Sequence, residues 1–95
     1  MAGEGLLQRY YKARCKEHGI LWYKIKFEGV RGCPDTLAAK NGRCIIVELK
    51  NINGRGVLSK IQVRRINEML DAGLDVRVID SKKGIDDVIN DLIKT

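Results

Sequence analysis

Apolar positions recur along the chain with two different periods. Glu4, Leu7, Tyr11, Cys15 and His18 follow an i, i+3, i+4 progression and share one stripe, which predicts a helix from Glu4 to about Glu17. Leu6, Tyr10 and Ala13 lie on another side, which gives this helix two faces to cover, and Gly19 supplies a stop signal. Ile20 to Phe27 then alternates around aromatic and β-branched residues, the period of a strand. After a Gly-containing loop from Glu28 to Pro34, strands are expected over Asp35–Lys40 and Arg43–Lys50. Asn41-Gly42 between them is a favoured hairpin dipeptide, so these two strands pair antiparallel. Asn51 to Val57 holds two Gly and two Asn and reads as an exposed, mobile loop. Helix returns from about Lys60 to Ala72 with Gly73 as its cap, Leu74–Asp80 is a further strand, and Ile85–Ile93 carries the apolar face of a last helix. The order α-β-β-β-α-β-α predicts an α/β fold with a mixed central sheet flanked by helices.

Length and composition narrow this without changing it. Ninety-five residues form a single domain spanning 1–95, and 44% hydrophobic with 32% charged residues is the make-up of an ordinary folded protein. No apolar stretch approaches the ~18 residues of a membrane span and no leader pattern is visible, so no membrane partner and a cytoplasmic, reducing location are expected. Cys15, Cys33 and Cys44 are odd in number and form no C-x-x-C pair, which suggests neither a disulfide framework nor a zinc site. The formal charge of +6 favours a polyanionic partner, nucleic acid being the usual one.

The candidate chemistry sits on the third strand. Cys44, Ile46, Glu48 and Lys50 share one face there, so an acid and a base stand side by side at the end of an apolar run. Alone, that is the pattern of a surface ion pair worth ~0–1 kcal/mol. Asp35 changes the weighing, because pairing about Asn41-Gly42 brings it opposite the region of Glu48 to Lys50. Two close carboxylates repel unless a cation lies between them, and hard oxygen ligands suit Mg²⁺ or Mn²⁺. Gly32-Cys33-Pro34 ahead of Asp35 permits a tight approach and an extended backbone.

The pattern Glu4, Gly32-Cys33-Pro34-Asp35, Glu48-Leu49-Lys50 and Gln62 resembles the VRR-NUC (virus-type replication–repair nuclease) branch of the PD-(D/E)XK superfamily. The predicted element order is similar to that superfamily's restriction-endonuclease-like αβββαβ core. The resemblance implies a metal-dependent DNA endonuclease whose catalytic centre is Glu4, Asp35, Glu48, Lys50 and Gln62. Asp35 and Glu48 would hold Mg²⁺ or Mn²⁺ with the backbone carbonyl of Leu49 and with Glu4 as a further ligand. Lys50 would orient the nucleophile or stabilise developing negative charge. It also implies a homodimer, branched or junction DNA as the preferred substrate, products bearing 5′-phosphate and 3′-hydroxyl ends, no small-molecule cofactor, and a source compatible with a virus or phage.

Two of these positions also have a purely structural use. Glu4 is a first-turn acid favourable to a helix dipole, and Ser59-Lys60-Ile61-Gln62 matches a capping box. Arg31, Arg55 and Lys60 are the basic residues placed best for phosphate contacts, with Lys24, Lys26, Arg64 and Arg65 as further candidates. His18 has no evident partner. The main alternative function is a non-catalytic nucleic-acid-binding module using the basic surface, although neighbouring acids that repel phosphate do not serve a pure binder. A nuclease acting on RNA is a third, without an aromatic stacking motif to support it.

Overall fold

The computed structural model describes residues 3–50 and 57–94, with side chains from Gly5 onward. Three helices and four strands follow the predicted order: α1 (Gly3–Glu17), β1 (Leu21–Lys24), β2 (Thr36–Lys40), β3 (Arg43–Leu49), α2 (Lys60–Asp71), β4 (Val76–Ile79) and α3 (Lys82–Ile93). The strands form one sheet in the order β1-β2-β3-β4. The first two pairings are antiparallel, and the third is parallel because the chain crosses back through α2. The fold is therefore α/β with a mixed sheet, as expected. Among the described residues no helix is long and apolar enough to cross a membrane.

The hairpin turns where the sequence places it. Asn41 and Gly42 both have positive φ, 55° and 80°, as a two-residue turn of this hand demands. Register follows from the turn: Ala39 faces Cys44, Leu37 faces Ile46 and Thr36 faces Val47. Alternation along β3 then splits the core in two. Ile45, Val47 and Leu49 join Ala38 and Ile79 beneath α1 and α3, which contribute Leu7, Tyr11 and Cys15, and Ile85, Val88, Ile89 and Leu92. Ile46 and Val76 point to the other face, where α2 covers them with Ile66 and Met69. The stripe predicted on α1 is thus the buried one. The second α1 face is covered only in part: Tyr10 packs against the α1/α3 core and its hydroxyl donates to Asp86 of α3 (2.6 Å), while Leu6 and Ala13 are exposed.

Several element ends differ from expectation for identifiable reasons. β1 stops at Lys24 rather than Phe27: Ile25 N–H still donates to the Asp35 carbonyl (2.8 Å), but at the next bonding position the Phe27 carbonyl accepts from Val30 N–H (3.1 Å) in a turn instead of from the facing strand. β2 accordingly opens at Thr36, one residue after Asp35. β3 closes at Leu49 and β4 is confined to Val76–Ile79. α3 starts at Lys82, three residues before the apolar run, since Ser81 Oγ accepts from Gly84 N–H at 3.1 Å and caps the helix there. The loop expected over 51–57, with Arg55, lies outside the described residues apart from exposed Val57.

The segment from Glu28 to Pro34 is fastened onto α2 at two points. Arg65 Nε donates to the Arg31 carbonyl (2.9 Å), and Gly32 packs so closely on the first turn of α2 that a Cβ there would lie 2.9 Å from Ile61 Cγ1 and 3.1 Å from its carbonyl carbon. Gly32 also has φ +85°, so both its lack of a side chain and its left-handed backbone are used. Buried Pro34 follows, and Asp35 leaves the loop at a height set by α2.

Gly32→Ala is expected to cost about 2–3 kcal/mol, read from the urea unfolding midpoint, because strain and overlap add. Gly29→Ala, at φ +76° but facing open space, is expected to cost only about 1 kcal/mol. Equal losses would show that the Gly32–Ile61 contact is not tight. The cysteines provide a second check, since the thiolate is the reactive form. Cys15 is buried and desolvation pushes its thiol up to about 12, whereas Cys44, raised too by partial desolvation and by Asp75, is exposed to the reagent. Iodoacetamide at pH 8 is therefore expected to modify Cys44 in the native protein and Cys15 only after denaturation, as peptide mass mapping will show.

Candidate active site

The site lies at the C-terminal ends of the parallel strands β3 and β4, the edge at which open α/β sheets usually receive ligands. Glu48 stands one residue from the end of β3, with Val78 of β4 opposite. Alternation turns it away from the α1/α3 core and toward α2. Its side chain is 12% exposed and that of Lys50 is 14%, so the two do not form a surface ion pair. Burying a carboxylate to this extent is costly unless donors surround it.

Gln62 supplies one such donor. Its Nε2 donates to Glu48 Oε2 at 3.1 Å, while its Oε1 accepts from Lys50 Nζ at 3.4 Å and from the Ser59 backbone N–H at 2.9 Å. Lys50 Nζ itself lies 4.0 Å from Glu48 Oε2. The amide orientation follows from chemistry: the ammonium and the backbone N–H are donors only, the carboxylate an acceptor, so the oxygen must face the first two. The two roles of Gln62 therefore do not compete. Ser59 Oγ accepts from Gln62 N–H at 3.2 Å, completing the capping box of α2, and the same side chain ties that helix start to Glu48 and Lys50. Lys50 is fixed from the backbone side as well, its N–H donating to the Ile79 carbonyl at 2.8 Å.

Asp35 belongs to a second cluster. Extending the β2–β3 register by one residue past Thr36–Val47 sets Asp35 beside Glu48, as the hairpin argument requires. Its carboxylate is half exposed and pairs with Lys24, whose Nζ lies 2.9 Å from Asp35 Oδ2. The same Nζ donates to Gln8 Oε1 of α1 at 3.3 Å. Glu4 precedes Gln8 by one helical turn, at a position on the same side of α1.

Of the residues singled out from sequence, Glu48, Lys50 and Gln62 are thus in mutual contact and Asp35 is in register beside them. Glu4 is placed by helix position alone. Arg31 and Lys60 are exposed near the entry to α2, and Arg55 lies outside the described residues. Arg65, considered for phosphate, is instead engaged with the Arg31 carbonyl and with Glu68 at 3.1 Å. His18 lies 3.2 Å from Arg14 through Nε2, on the far end of α1. Sequence reasoning missed Gln8 and the pairing of Lys24 with Asp35. The i+4 spacing from Glu4 could have flagged Gln8, but Lys24 needed the β1–β2 register, which no turn dipeptide announces.

Two carboxylates from adjacent strands are hard oxygen donors of the kind that suit Mg²⁺ or Mn²⁺. Among the described residues no group of three or more His, Cys, Asp or Glu side chains is gathered for a metal. A divalent ion held here would therefore complete its shell with backbone oxygen, water or a residue such as Glu4, the pattern by which Mg²⁺ is usually bound.

No family model matches the sequence, and no curated protein matches it. Among solved structures, one described as "VRR_NUC domain" is similar to this chain with 31% sequence identity and a TM-score of 0.83, over 95% of this chain and 97% of that one. The fold agrees with that likeness over nearly the whole of both chains. The chain belongs to the VRR-NUC family of nuclease-type domains, with a restriction-endonuclease-like fold.

Proposed function

We propose that the protein is a Mg²⁺- or Mn²⁺-dependent DNA endonuclease that hydrolyses phosphodiester bonds in branched, flap or junction DNA. The observation that carries this reading is the Glu48–Gln62–Lys50 cluster, an acid and an ammonium held together inside the end of a strand with Asp35 in register beside them. A buried ion pair is weak as a device for stability, so a chemical use accounts for it better.

Asp35 and Glu48 are the proposed metal ligands, with the Leu49 carbonyl and Glu4 as further oxygens. When bound, the ion supplies a lowered water pKa and offsets negative charge on the phosphate. Glu48 is oriented by Gln62, whose Nε2 donates to its Oε2. Lys50, whose backbone is locked to β4, holds a proton-bearing ammonium at the site where charge develops on the phosphate oxygens. Hydrolysis in this sense leaves a 5′-phosphate and a 3′-hydroxyl. Arg31, Arg55 and Lys60 are the proposed phosphate contacts, in keeping with the net charge of +6. A cytoplasmic location suits the free thiols.

A homodimer accords with the uneven cover of the sheet. α2 shields the β3–β4 side of its face, whereas Leu21 and Tyr23 on β1 are exposed and Leu37 and Ala39 on β2 are half-buried. Two sites related by a two-fold axis would serve a branched substrate.

The test is cleavage of end-labelled duplex, flap, single-stranded and four-way-junction DNA with Mg²⁺, Mn²⁺ or EDTA. Cutting is expected with metal only, reduced by on the order of 10²–10⁴-fold in Asp35→Ala and Lys50→Ala. Tight, salt-sensitive binding without cutting in either metal would sink the nuclease reading and leave a binding module.

A further inference from the structure

The ammonium of Lys24 has a place in the candidate site that its exposure alone would not suggest. Lys24 is the last residue of β1 and faces Thr36, so the sheet ladder fixes its backbone next to Asp35. Its Nζ meets oxygens from two separate elements, Asp35 Oδ2 ahead of β2 (2.9 Å) and Gln8 Oε1 on α1 (3.3 Å). Both side chains of the ion pair are about half exposed, 53% for Lys24 and 51% for Asp35. A pair that wet adds little to folding. Its consequence is for what else Asp35 can hold. A carboxylate oxygen already accepting from an ammonium at 2.9 Å cannot receive a divalent ion from the same direction, and two cations that close repel.

Given the metal-ligand role proposed for Asp35, on which this inference rests, we infer that Lys24 is the resident counter-ion of the metal site. It is a positioning residue: with Gln8 it holds Asp35 in the metal-free protein, and the divalent ion displaces it. Lys50 does not share this role. Its ammonium is buried against Gln62 and lies 4.0 Å from its own carboxylate, so it remains when a cation enters. Metal binding to this chain is therefore an exchange of Lys24 for the ion at Asp35, and Lys24 weakens the apparent affinity by the strength of its hold.

The test is Mn²⁺ binding to the full chain without DNA, read from the electron paramagnetic resonance signal of free Mn²⁺. Lys24→Met removes the competitor and is expected to tighten binding about two- to fivefold. Lys24→Arg keeps a cation there and is expected to bind as wild type or more weakly. Lys83→Met removes the same charge from α3, where Lys83 pairs with Asp87, and is expected to change nothing. Melting temperatures of all variants should agree, which separates site exchange from a structural effect. An unchanged affinity in Lys24→Met, or an equal gain in Lys83→Met, overturns the inference. Asp35→Asn separates the two layers: if it loses Mn²⁺ affinity while Lys24→Met gains none, only the role of Lys24 falls. If it binds Mn²⁺ as wild type does, the metal-site reading falls and Lys24 with it.

Discussion

A carboxylate inside the end of an apolar strand has to be met by donors before the strand can pack at all, and in this fold one amide meets much of that need. Gln62 donates to Glu48, accepts from Lys50 and closes the capping box with Ser59. The end of β3, the start of α2 and the acid–base pair are therefore one unit. Capping boxes accept Glu as readily as Gln at this position. Glu here would place a second carboxylate against Glu48 and remove one of its donors. The choice of Gln is thus explained by the site rather than by the helix, and the helix gains its cap from a side chain selected for another purpose.

The same unit sets where Asp35 can stand. Its loop is gripped by the first turn of α2 through Gly32 and by Arg65 further along, so α2 carries both Gln62 on one side of Glu48 and the platform for Asp35 on the other.

Much of this was legible in the sequence. Asn41-Gly42 announced the hairpin, its register put Asp35 against Glu48, and the period of β3 placed Glu48 and Lys50 on one face away from Ile45, Val47 and Leu49. The buried stripes of α1 and α3 followed from spacing. Strand ends were less legible because they depend on partners: beyond Ile25 the Phe27 carbonyl is taken by Val30 N–H in a turn rather than by the facing strand. On the second α1 face Tyr10 finds the core while Leu6 does not, because spacing announces hydrophobicity but not which neighbour covers it. At the site, side chains linked within β3 or by a capping signature were found, while Gln8 and Lys24 meet Asp35 only through the packing of α1 and β1, for which no local pattern exists.

Asp35 and Glu48 are thus each matched by a lysine, but the two pairs differ in kind. Glu48 and Lys50 are almost wholly enclosed and held through Gln62, a geometry that exchanges nothing with solvent at small cost. Asp35 and Lys24 meet directly at 2.9 Å yet stand half in water, where an ion pair is worth little and is readily remade. Two carboxylates in register would repel if bare, and these two cations relieve that repulsion in the metal-free chain. The enclosed pair gives the site its fixed geometry and the exposed pair gives it an opening. On the proposed metal-binding reading, a divalent ion arriving from solvent would meet the weaker of the two pairs first, so the difference in burial between Lys50 and Lys24 would determine which ammonium stays beside its carboxylate and which gives way.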